Sequence, residues 1–119
     1  MTAVGEVRAV EPAGRGATRI ADRVVAKIAS QAAREALGDV PDHHERPSAH
    51  AVVHEGAARV RVALELGYPG DIAARCRAVR HRVTERVREL AGMEVPEVTI
   101  TVERLHSAYT DRAGLGRVR

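Results

Sequence analysis

The chain contains no phenylalanine and no tryptophan, and Tyr68 and Tyr109 are its only tyrosines. Any core is therefore built from valine, isoleucine, leucine and alanine, small side chains that let elements approach closely. The same shortage removes the aromatic platform on which sheet domains stack the bases of RNA. Cysteine is nearly absent too: Cys76 stands alone, which excludes an internal disulfide and any zinc site built on a cysteine pair, and fits a reducing compartment. No apolar run approaches the roughly 20 residues that cross a bilayer. Residues 1–16 show neither a basic start followed by an apolar stretch nor a small-residue cleavage pattern. The expectation is a cytoplasmic protein with no direct membrane insertion, brought to a membrane, if at all, by a partner. Lysine is reduced to Lys27, so the remaining basic residues are arginines, a usage that a GC-rich coding sequence produces without functional demand.

What is present describes one globular domain. The 119 residues are 45% hydrophobic and 29% charged, a balance that suits a single core rather than a disordered or membrane-spanning chain. The net charge of +3 permits contact with nucleic acid or anionic lipid and requires neither. Residues 1–15 mix Gly, Pro, Ala and charges without period and read as a flexible arm, with a short strand possible at residues 17–20. From Ile20, the series Ile20, Val24 and Ile28, widened by Ala21, Val25, Ala29, Ala32 and Ala36, predicts a helix ending at Leu37 with Gly38 as its cap. Arg23, Lys27, Ser30 and Arg34 fall on its opposite side.

Residues 38–48 hold two prolines and no period, a loop. A strand at residues 49–54 then turns at Glu55 and Gly56 into a second strand, residues 58–68. There Val60, Val62, Leu64 and Leu66 alternate with Arg59, Arg61, Ala63 and Glu65, the period of a sheet with one buried face. After Pro69 and Gly70, Asp71 is placed as the N-cap of a helix to Ala91, with a stripe of Ile72, Cys76, Val79, Val83, Val87 and Leu90. Gly92 ends it, and Val98, Ile100 and Val102 alternate with Thr99, Thr101 and Glu103 in a last strand. The tail, residues 106–119, is basic and reads as flexible. The predicted fold is α+β: two helices on one face of a mainly antiparallel sheet of three or four strands. Its order is βαββαβ and ferredoxin-like if residues 17–20 form a strand, and αββαβ if they do not.

Catalytic equipment is not evident, and no cofactor or small-molecule substrate is expected. Residues 14–16 (Gly-Arg-Gly) lack the Gly-Lys-Ser/Thr ending of a phosphate loop. Cys76 lies on the apolar stripe and reads as a core thiol, and Asp71 is explained by capping. Six histidines raise a metal site, with His43 and His44 in the loop and His50 and His54 on one strand face. Strand residues four apart are separated by about 13 Å, at about 3.3 Å per residue, so His50 and His54 do not share an ion unaided. The expected metal ligands are therefore none. Arg75, Arg77, Arg80, Arg82, Arg86 and Arg88 spread around the second helix and mix with Glu85 and Glu89, the look of a solvated helix rather than a phosphate-binding face.

Three blocks carry a resemblance. They are Ile20-Ala21-Asp22-Arg23-Val24-Val25-Ala26-Lys27-Ile28-Ala29, then Gly67-Tyr68-Pro69 after the hairpin, then Gly92-Met93-Glu94-Val95-Pro96-Glu97-Val98 leading into the last strand. In order and spacing, residues 16–105 resemble the bacterial alkaline-shock protein family of the envelope stress response. The loop after the first helix departs from that pattern, with residues 38–44 standing where a Val-x-Gly-Val type of turn is usual. The resemblance implies a non-enzymatic cytoplasmic protein, held at the inner face of the cell membrane by a membrane-anchored protein partner and self-associating. It implies no catalytic residues. The residues expected to meet a partner are those on the open sheet face, Arg59, Arg61, Thr99 and Thr101. The alternative is a small basic nucleic-acid-binding or regulatory domain.

Overall fold

A computed structural model describes residues 12–107, with side chains from Ile20 onward. The expected arm residues 1–11 and tail residues 108–119 lie outside the described part. The elements are α1 (Pro12–Leu37), β1 (Ser48–His54), β2 (Ala57–Tyr68), α2 (Ile72–Ala91) and β3 (Glu94–Ser107). Both helices pack against one face of a three-stranded sheet in the order β1-β2-β3, a two-layer α+β domain.

Local chemistry sets the boundaries of these elements. Asp71 caps α2 by accepting a hydrogen bond from the Ala74 N–H at 3.0 Å. Gly92 ends that helix with φ 65°, its N–H bonded to the Arg88 carbonyl, and Gly38 at φ 75° closes α1 the same way onto Arg34. The β1–β2 hairpin turns through Glu55 and Gly56, both at positive φ, the backbone that matches the twist of the flanking strands.

Two expectations are corrected. Residues 17–20 are helical, because α1 begins at Pro12, so the N-terminal strand gives way to a longer helix and, of the two orders left open, the structure has αββαβ. The sheet is mixed rather than mainly antiparallel: β1 and β2 run antiparallel from Ser48↔Ala63 to His54↔Ala57, while β2 and β3 run parallel. One cause explains both. In the ferredoxin-like order a fourth strand would separate β2 from β3. Without it the two strands flanking α2 become neighbours, and strands joined by a helical crossover run the same way.

The core is thin and wholly aliphatic. Val60, Val62, Leu64 and Leu66 of β2 point at the helices and are almost fully buried. Above them lie Val25, Ala29, Ala32 and Ala33 of α1 and Val79, Val83 and Val87 of α2. The apolar face of α1 keeps Val25, Ala29 and Ala32 of the expected series but not its two N-terminal bulky members. Its alanines pack into the core, whereas Ile20 is 63% and Val24 49% exposed; Val24 lines a cleft with Leu90 of α2, itself 64% exposed rather than part of the buried stripe. Small residues let α1 sit low on the sheet, and Val24 is left at the cleft between the helices. Cys76 is half-buried against the core. Asp22 ties α1 to the sheet, its Oδ1 accepting the Val53 N–H of β1 at 2.8 Å.

Leu64→Ala is expected to cost about 2–5 kcal/mol in urea unfolding, whereas Val52→Ala, at an exposed position, changes stability by about 0.5 kcal/mol or less. Asp22→Ala should cost about 1–3 kcal/mol, because it orphans an edge-strand amide, with Asp22→Asn recovering much of that. Equal effects of Leu64→Ala and Val52→Ala would contradict the assigned facing of the sheet.

Candidate functional site

Because both helices take one side, the other face of the sheet is open. The register places Arg61 between His50 of β1 and Thr99 of β3, Arg59 between Val52 and Glu97, and Ala63 beside Thr101. Arg59, Arg61, Thr99 and Thr101 are therefore brought together, all exposed, on one surface. Glu97, which the sequence reading did not single out, organises it: its carboxylate lies 3.6 Å from Arg59 Nε and accepts from Thr99 Oγ1 at 3.4 Å. A shallow groove runs across this face between His50, Val52, Arg59, Arg61 and Thr99. Val52 is 63% exposed there, an apolar spot in a polar surround.

The arginines of α2 are largely engaged within the chain. Arg82 Nε and Arg86 Nε share Glu35 Oε1 of α1 at 3.1 and 3.3 Å, and their other nitrogens reach Glu85 and Glu89. Arg75 donates to the Leu37 carbonyl and Arg80 to that of Val98. Burial opposes the charge on Glu35, but the Arg86 and Arg82 guanidiniums outweigh it and hold the carboxyl below the usual range. This pattern fastens helix to helix and leaves no continuous phosphate-binding row among the described residues.

A second cluster forms where the open face meets the loop of residues 38–47. A register shift between Leu64 and Glu65 lets β3 continue to Ser107, so His106, expected to begin the tail, sits buried in the sheet beside Gly67. Its Nε2 lies 2.6 Å from Glu65 Oε1, with both side chains almost fully buried. Glu65 Oε1 also accepts the Glu45 N–H at 3.0 Å, which draws the loop down onto the sheet. The His106 contact, then the Glu45 amide, outweigh burial and hold the Glu65 carboxyl below its ordinary value. His44 stacks on His106 with ring centres 3.9 Å apart, and His43 meets both rings edge-on at 4.6 and 5.1 Å. His50 and His54 stand apart, His50 facing Arg61 and His54 beside Glu55. The sequence offered two signals for this cluster, the His43-His44 pair and Glu65 near the end of the strand, flanked by Leu64 and Leu66. Neither showed that a bulge would turn His106 toward them.

The chain matches no protein-family model, no curated protein and no solved structure.

Glu35 and Glu65, with lowered folded values, contribute stability that is fully present above the unfolded carboxylate pKa of about 4.3 and is lost as pH falls through their folded values. Glu65→Gln is accordingly expected to flatten the acid side of the stability–pH profile, read as denaturation midpoints from neutral pH down to acid. Superimposable profiles for variant and wild type would contradict the Glu65 assignment.

Proposed function

We propose that this chain is a non-enzymatic adaptor or scaffold of the envelope stress response, acting at the cytoplasmic face of the cell membrane by binding a membrane-anchored protein and by self-association. The observation that carries the reading is the open sheet face, with Arg59, Arg61, Thr99 and Thr101 exposed together around Val52. Such a surface offers guanidiniums for carboxylates, hydroxyls for main-chain groups and one apolar anchor, the mixture found at the rim and centre of protein interfaces. The resemblance to the alkaline-shock family supports it from the sequence side. Its Ile-Ala-Asp block holds Asp22, which clamps α1 to β1, and its Gly-Met-x-Val block is the cap of α2 and the entry to β3. No helix among the described residues is long and apolar enough to cross a membrane. In this reading the anchor belongs to the partner.

β3 adds a second means of association. It is an edge strand, and its outer side is touched by the chain at Val98, through Arg80. An edge of this kind pairs with a strand of a partner or of another copy.

The test is recovery of tagged chain from host membranes with and without nuclease, comparing wild type with Arg61→Glu on the sheet face and Arg77→Glu on α2. The expected outcome is nuclease-insensitive recovery of a small membrane protein, reduced about tenfold by Arg61→Glu, an interface loss of roughly 1.4 kcal/mol, and unchanged by Arg77→Glu. Recovery of nucleic acid that nuclease abolishes would instead favour the basic nucleic-acid-binding alternative.

A further inference from the structure

We propose that His43, His44 and His106 form a binding site for one divalent transition-metal ion of the zinc class, with Glu65 as the carboxylate that orients His106. The three residues each offer a ring nitrogen, and these atoms lie within 4.8 Å of one another. Around a tetrahedral zinc with Zn–N bonds of about 2.0–2.1 Å, donors stand roughly 3.3 Å apart, so the widest pair must close by about 1.5 Å. Two of the three ligands sit on the loop of residues 38–47, where turning a ring or shifting the backbone disturbs no strand pairing. His44 leaves its stack on His106 to aim a nitrogen at the ion, and His43 closes over it from the exposed side.

The fixed end of the site is the buried pair. An ionised carboxylate only accepts, so Glu65 Oε1 takes a hydrogen from His106 Nε2, and in the neutral ring the lone pair is left on Nδ1. That is the carboxylate–histidine arrangement that fixes tautomer and ring orientation in metal sites, and it places one negative charge beside the cation. The Glu45 amide on the same Oε1 holds the carboxylate in position. An all-imidazole donor set suits Zn²⁺, Cu²⁺, Ni²⁺ or Co²⁺ and disfavours the oxygen-seeking Mg²⁺ and Ca²⁺. Three protein donors leave the fourth position of a tetrahedral ion to water or another ligand. Metal here would pin the α1–β1 loop to the end of β3, at the margin of the open sheet face.

The experiment uses the full chain without a histidine tag, stripped with chelator, titrated with zinc chloride against a chromophoric chelator and by calorimetry near pH 7.5. The expected result is about one zinc per chain, with affinity falling about 100-fold or more in His43→Ala/His44→Ala and about 10–100-fold in Glu65→Gln. The paired control His50→Ala/His54→Ala, which removes the same number of imidazoles from β1, should bind as wild type does. Both substitutions fall on the loop, outside the aliphatic core, and circular dichroism checks folding. Binding unaltered by His43→Ala/His44→Ala, binding lost equally in the β1 control, or no stoichiometric binding by wild type would each overturn the site. Magnesium chloride in the same titration should give no binding, and equal affinity for magnesium would also overturn it.

Discussion

The structure depends on the alternation along β2. Among the described residues this strand alone is paired on both edges, and its side chains alternate from residue 58 to residue 66: Ala58, Val60, Val62, Leu64 and Leu66 toward the helices, Arg59, Arg61, Ala63 and Glu65 away from them. A slip of one residue would bury two arginines and expose the leucines, so solvation strongly favours the observed facing of β2. Because no aromatic ring supplies bulk, the helices must approach the sheet closely, and the alanines at 29, 32 and 33 allow it. An aliphatic core of this kind gains stability from many small contacts rather than a few large ones.

Elements whose cause is local were legible in the sequence. The α2 cap at Asp71, the turn at Glu55 and Gly56, the ends of both helices at glycines and the facing of β2 each follow from one or two residues and their neighbours. The two-layer α+β architecture followed from them. What was not legible depended on longer-range choices. The edge of the α1 face was misread: Val25, Ala29 and Ala32 of the expected face are buried, but Ile20 and Val24, assigned to it on hydrophobicity, stay exposed because hydrophobicity alone does not weigh closeness of approach. Strand pairing was misread because whether residues 17–20 extend a helix or add a strand decides which strands become neighbours, and nothing in residues 94–107 records that choice. The last two residues of β3 were assigned to the tail because a bulge interrupts the period there.

Polar groups in this domain divide by location. On the helical side, Glu35 with Arg82 and Arg86 fastens α1 to α2, which turns an arginine-rich helix from a potential phosphate surface into part of the scaffold. At the end of the sheet, Glu65 joins three segments distant in sequence: β2, the loop after α1 through the Glu45 amide, and β3 through His106. Between these lies the open face, where arginine and threonine side chains stand on rigid strands without a covering layer. A backbone already held in strands has little left to order on binding, so the cost there falls on the side chains alone.

The most direct measurement places a photocrosslinking amino acid at Thr99 on the open face, or at Arg77 on α2, in the chain expressed in its own host. Illumination should join the Thr99 position to a membrane protein or to a second copy of the chain, and the Arg77 position to neither. Crosslinks that form from Arg77 and not from Thr99, or that carry nucleic acid alone, would contradict the assignment of the sheet face as the docking surface.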